Sequence, residues 1–245
     1  MSSKFLKTVC LILALGVTAC THNGTETGEI YDPWEDSNRT SLEVNDALDR
    51  AVLEPVAKGY RAVTPRAGRV AVSNFLKNLN SPVVMGNQLL QGDIEGFGNT
   101  SARAFINTLA GFGGILDLAE EGGIPHEPED FGQTLAVWGA EPGPYLMVPF
   151  FGPSNVRDLS GNIVDGLADP LRIYLFNIDR EPLHYARVGA GVVSKREELI
   201  GVIDDLRRNS FDYYAAIRSA YNQQRQALIR DQKDDVISMD IPDYE

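Results

Sequence analysis

Cysteine is nearly absent: the 245 residues contain two, Cys10 and Cys20. Both lie within the first twenty positions, so the rest of the chain can form no disulfide and no thiolate metal site. Only three histidines occur, His22, His126 and His184. His126-Glu127 is not followed by the second His of a helical zinc-protease motif, and no metal is expected. Basic residues are in deficit, 22 against 34 acidic ones, which argues against nucleic acid as a partner. Long apolar runs are missing after Cys20. The longest uncharged stretches there are Asn78–Gly92 and Pro142–Val156, fifteen residues each and broken by Pro and Gly. A membrane-spanning helix needs about 20 apolar residues. No long segment alternates apolar and polar side chains, so the expected fold class is all-α.

What is present begins at the N-terminus. Lys4 and Lys7 precede an apolar run, Val9 to Leu15, and then small residues. This pattern reads as a secretory signal peptide. It ends at Val17-Thr18-Ala19-Cys20, which resembles a bacterial lipobox. The resemblance implies that residues 1–19 are removed and that Cys20 carries acyl chains, each buried methylene adding about 0.8 kcal/mol of membrane affinity. Thr21 stands where inner-membrane lipoproteins resemble Cys-Asp, so the sorting pattern points to the outer membrane. Removing Lys4 and Lys7 leaves 20 basic against 34 acidic residues, a net charge of −14 over the remaining 226 residues.

Residues 20–30 are polar and rich in Gly and Thr, and read as a tether. A helical domain over residues 31–230 should follow. Asp36-Ser37 is a plausible N-cap for a helix carrying Leu42, Asn45, Leu48 and Val52. Pro55 opens a short helix that Pro65 ends, and Arg66 to Leu79 continues the helical spacing. Pro82 opens a separate helix to Leu90, closed by Gly92. Ile94 to Thr108 is another helix. Ser154 and Ser194 read as caps of two more, and Phe211 to Ile229 is the last. A short hairpin fits best within 135–151, with its turn at Gly139, Pro142, Gly143 and Pro144. Residues 231–245 are acidic, poor in large apolar groups, and read as a disordered tail.

Charge is unevenly spread. From Asn74 to Leu116 there are 43 residues and four charges, Lys77, Asp93, Glu95 and Arg103. The polar groups are neutral instead: Asn74, Asn78, Asn80, Asn87, Gln88, Gln91, Asn99 and Asn107. Helices with an apolar face and an uncharged polar face suit a body in contact with lipid around a polar interior; a core with a few buried amides is the alternative. Catalytic constellations do not emerge. Gly152-Pro153-Ser154-Asn155-Val156 lacks the second Gly of a nucleophile elbow, and Asp130-Phe131-Gly132 lacks the other kinase motifs. Arg157-Asp158 reads as an ion pair.

Several segments together carry a family resemblance. Tyr31-Asp32-Pro33-Trp34-Glu35 with Asn38-Arg39 resembles the opening motif of the MlaA (VacJ) lipoproteins. Ser73 to Leu79, Leu89 to Asp93, Arg103 to Thr108, Gly113-Gly114 with Asp117, Asp130 to Leu135, Gly143 to Pro149, Gly152-Pro153 and Arg157-Asp158 continue it in order. Asp36 and Ser37 depart from the Gly and aromatic usual in the motif. The resemblance implies an all-helical, ring-like body embedded in the inner leaflet of the outer membrane. It implies no cofactor and no enzymatic role. The implied partners are a trimeric porin, phospholipid, and a periplasmic lipid-carrier protein. The implied function is removal of phospholipids misplaced in the outer leaflet. On this reading Asn74, Asn78, Asn87, Gln88, Gln91, Asn107, Tyr145, Phe150 and Phe151 are candidates for the lipid path. A purely structural lipoprotein that braces porins is the competing class; a lipid hydrolase would need a nucleophile and a base that the sequence does not offer.

Overall fold

Side-chain caps set many of the element boundaries in the computed structural model, which describes residues 30–230. The signal peptide, Cys20, most of the tether and the acidic tail lie outside the described residues. Helix α1 spans Glu35–Leu48 and passes through a five-residue π-helical stretch, Asp49–Leu53, into α2, Glu54–Val63. Trp34, not Asp36 or Ser37, precedes α1, and no side chain caps it. Asp36 and Ser37 are exposed in the first turn, so the departure from the family motif disturbs no buried packing.

Helix α3 runs unbroken from Arg66 to Gln91. Two helices divided at Pro82 were expected. Pro82 sits on the exposed side of one helix, where losing a single ladder hydrogen bond is tolerated. Gly92 ends it in the left-handed conformation, φ +81°, as a C′ glycine does. Asp93 then caps α4, Ile94–Leu109, accepting from the Gly96 amide at 2.8 Å. Two short helices follow: α5, Leu118–Glu121, capped by Asp117, and α6, Phe131–Val137, capped by Asp130.

The only strands among the described residues are β1, Tyr145–Val148, and β2, Gly152–Asn155, paired antiparallel with Tyr145 opposite Asn155. A hairpin is therefore present, but it turns at Pro149-Phe150-Phe151. The Gly139–Pro144 segment is the loop leading into it. The cap of α7, Val156–Ala168, is Asn155, whose Oδ1 accepts from the Asp158 amide at 2.8 Å; Ser154 belongs to β2. Helices α8, Pro170–Asn177, α9, Glu181–Glu198, α10, Ile200–Asn209, and α11, Tyr213–Ile229, complete the chain. Ser194 lies inside α9 and caps nothing.

Polarity is distributed unusually. Among the described residues, eight apolar side chains are buried, against sixteen polar or charged ones. Thirty-two large apolar side chains are exposed, including Phe105, Leu109, Phe112, Phe150, Phe151, Leu167 and Tyr185. Among the described residues no helix is long and apolar enough to cross a membrane.

Candidate functional site

Helical spacing places Arg66, Arg69, Ser73, Asn74 and Lys77 along one face of α3. This face meets Ser194, Glu197 and Glu198 in the last turns of α9, around a cavity of ≈ 270 Å³. Farther along α3, Asn80 and Val83 meet the opposite end of α9 at His184, Arg187 and Val188. Asp165 and Gly166 of α7, Asp169, and Arg172 of α8 complete a second cavity of ≈ 250 Å³. The two helices thus run antiparallel, with one polar cavity towards each end of the seam between them; the two cavities together are called the furrow.

The furrow carries both signs of charge. Glu197 takes the Arg61 Nε–H at 2.7 Å and lies 3.0 Å from Arg69. Asp169 pairs with Arg187. Burial pushes the Asp165 carboxyl above the usual carboxylate range, although it accepts from the Phe131 amide at 2.8 Å and from Asn87 at 2.9 Å. Burial, with the Arg187 charge beside it, lowers the His184 pKa. A wall with separated cations, carboxylates and hydroxyls can hold a phosphate, alone or with an attached ammonium.

The residues selected from sequence fall in several places. Asn74 lines the first cavity. Asn87 is buried, donates to Asp165 and accepts from the Thr134 hydroxyl at 2.9 Å. Gln91 joins the same network by donating to Glu129 at 2.7 Å and Thr134 at 3.3 Å. This network ties α3 to α6 and α7. Asn107 is buried in α4; it donates to Asp117 at 2.8 Å and accepts from the Ala119 amide at 3.0 Å. Asn78 braces the loop after α4 by donating to Thr108 and to the Gly113 carbonyl. Gln88 is fully buried, and neither end of its amide has a protein partner. Tyr145 is buried at the base of the hairpin, whereas Phe150 and Phe151 are exposed at its tip. The cationic lining was not anticipated: Arg66, Arg69, Arg172 and Arg187 lie outside the amide-rich segment, as does the neutral His184. The three- and four-residue spacing of Arg66, Arg69, Ser73 and Lys77 was the available signal.

The opening motif has a clear structural task. Asp32 accepts from Tyr214 and from Arg218, the latter at 2.6 Å, and from Asn38 at 2.9 Å. Arg39 grips Asp212 through two bonds, 2.6 and 3.1 Å, and also binds Glu35. These contacts clasp the first described helix to the last. Tyr31 joins through its carbonyl, which accepts from the Tyr145 amide at 2.9 Å. Pro33 and Trp34 are exposed.

The chain matches the family described as MlaA lipoprotein over residues 30–228. It is 36% identical over 222 residues to the intermembrane phospholipid transport system lipoprotein MlaA of Escherichia coli, covering 86% of this chain and 84% of that protein. An uncharacterized protein of Rickettsia felis is 34% identical over 203 residues, 82% of this chain and 79% of its own length. Its fold is similar to that of a chain solved in work on the structural basis for maintenance of bacterial outer membrane lipid asymmetry. That similarity has a TM-score of 0.70 and 33% identity, over 81% of this chain and 98% of that one. The sequence and its fold therefore belong to the MlaA lipoprotein family.

Proposed function

We propose that this chain is an outer-membrane lipoprotein that removes phospholipids misplaced in the outer leaflet and passes them to a periplasmic carrier, so maintaining lipid asymmetry. The carrying observation is the inverted placement of polarity. Many large apolar side chains are exposed, while charged and amide side chains are buried or line the furrow between α3 and α9. A phospholipid needs both environments, since a charged head group moved into hydrocarbon costs far more than a tail does. The body, ring-like around its polar passage, sits in the inner leaflet and docks on a trimeric porin. Cys20 supplies the anchor. The head group passes unchanged, so the protein acts as a conduit and breaks no bond.

The test is complementation. In cells lacking the protein, outer-leaflet phospholipid should rise, and the full chain should restore it, measured by phospholipid accessible at the cell surface. A chain that reaches the outer membrane and leaves that level unchanged would favour the porin-bracing reading. Acylation is checked separately: intact mass should place the acyl groups at Cys20, and Cys20→Ser should leave the signal uncut.

A further inference from the structure

The hairpin is too short to hold itself. Two four-residue strands are marginal in water without further packing, and one edge of β1 has no strand beside it. Asn38 of α1 occupies that edge, and Asn45, also on α1, grips the turn beyond it. Asn38 donates to the Tyr145 carbonyl at 3.1 Å, and its Oδ1 accepts from the Met147 amide at 2.9 Å. Asn45 donates to the Val148 carbonyl at 3.0 Å, and its Oδ1 accepts from the Phe150 amide at 2.8 Å. A side-chain amide has a donor and an acceptor side by side, so it can meet a strand edge as another strand would. Asn38 and Asn45 are seven residues apart, two helical turns, and so lie on one face.

The tip supplies an independent observation. Phe150 has φ +68° and Gly152 φ +89°. Gly or Asn ordinarily occupies such positions, and a bulky aromatic there is strained. Yet Phe150 is 78% exposed and Phe151 85% exposed, so packing into this protein's own core does not explain the aromatic pair. Strain kept at an exposed site points to a use for the side chain held there. The base of the hairpin is fixed as well, with Tyr145 edge-on to Tyr214 and Tyr221 at 6.1 Å. Asn45 grips the amide of the strained residue itself, so it controls the tip.

We propose that Asn38, on the free edge of β1, and Asn45, on the turn, are positioning residues that together fix the pose of the Phe150-Phe151 tip, and that phospholipid transfer requires this pose. The requirement for transfer rests on the transport reading above. The tip has no charge, so it meets acyl chains and not the head group. Losing one two-bond grip should shift the balance between held and released tip about tenfold or more.

The experiment uses the full chain with Asn45→Ala, because Asn45 is half-buried and its loss leaves the Asp32 cluster intact. A nitroxide at Phe151→Cys, in protein reconstituted in phospholipid bilayers, reports tip motion. The same Asn45→Ala change, made without the label, is scored for outer-leaflet phospholipid in cells. The expected result is a sharply narrowed nitroxide spectrum, an unchanged unfolding midpoint, and outer-leaflet phospholipid raised several-fold over wild type. Asn38→Ala should free the tip too. A spectrum as immobile as the unsubstituted parent's overturns the positioning role. A freed tip with normal clearance overturns its requirement in transfer. If the wild type itself fails to lower outer-leaflet phospholipid, the transport reading falls, and the nitroxide result still decides the positioning.

Discussion

Two regions of this protein bury polar groups by opposite means. In α3 and α4 the buried groups are mostly neutral amides and hydroxyls: Ser81, Asn87, Gln88, Thr100 and Asn107. Around the chain ends they are arginines and carboxylates. Arg207 reaches Asp46, Asp49 and Glu54 at 2.7–2.9 Å, and Arg196 grips Asp49 with two bonds of 2.6 and 2.8 Å. Asp158 receives Arg157, Arg225 and Tyr221. The first region exposes Phe105 and Leu109 along with Lys77 and Glu95; the second exposes charges such as Arg208 along with Val63 and Phe211. Two of these amides each meet a single carboxylate, Asn87 with Asp165 and Asn107 with Asp117, whereas ion clusters need water or dense pairing nearby. On the proposed placement in the inner leaflet, the apolar sides of α3 and α4 would face hydrocarbon and the clasped ends water.

The largest effect should come from breaking the ion cluster that ties α7 to α11. Burial raises the Asp158 pKa, but bonding from Tyr221 and the charges of Arg225 and Arg157 outweigh it and hold the carboxyl below its usual range. Asp158→Ala would strand the buried Arg157 and leave Arg225 with Asp130 alone, and should cost about 3–5 kcal/mol, read from denaturant unfolding in detergent. A charge at an exposed apolar position sharpens the contrast next. Phe105→Lys should weaken membrane insertion by about 3 kcal/mol if that face meets lipid, and by almost nothing if it meets water. Partition between membrane and soluble fractions decides it.

The third effect depends on pH. Burial, with Lys77 and Arg103 nearby, lowers the His126 pKa to about 4. Its folded pKa is below the unfolded one, so its contribution is complete above about pH 6.5 and is lost as the pH falls towards 4. Stability should drop by about 2 kcal/mol between pH 7 and pH 5 on this account, and His126→Gln should flatten that slope. The smallest effect belongs to an exposed pair. Lys195 and Glu198 lie 3.0 Å apart with side chains 60% and 64% exposed, and Lys195→Ala should change stability by no more than about 0.5 kcal/mol.

Much of this was legible before the structure. The helical class, the Gly92 stop and the last helix follow from spacing and caps. The amide-rich, charge-poor segment also marked where the buried amides would be. Other features were hidden for physical reasons. Pro82 looks like a boundary, because the sequence does not show that it faces outward along one long helix. The hairpin strands are four residues each, too short to reveal alternation, and β2 contains Pro153, which only an edge strand tolerates. Its turn carries Phe150 where turn chemistry favours Gly, so the Gly/Pro cluster upstream looked like the turn. Helix α9 turns several apolar side chains outward, Leu183, Tyr185, Val188 and Val192, while Arg196 and Glu197 are buried. That inverts the usual signal, and with it went the cationic wall of the furrow. The Asp32–Arg218 and Arg39–Asp212 pairs join residues more than 170 positions apart, a separation at which local spacing carries no information.

The division between a lipid-facing and a water-facing region is the claim on which the rest depends. Depth-dependent quenching tests it most directly, with a fluorophore at Phe105→Cys or at Arg208→Cys in the full chain reconstituted in bilayers containing lipids with mid-chain quenchers. The account predicts strong quenching at position 105 and little at 208, where an aqueous quencher should act instead. Equal response of both positions to the aqueous quencher would contradict it.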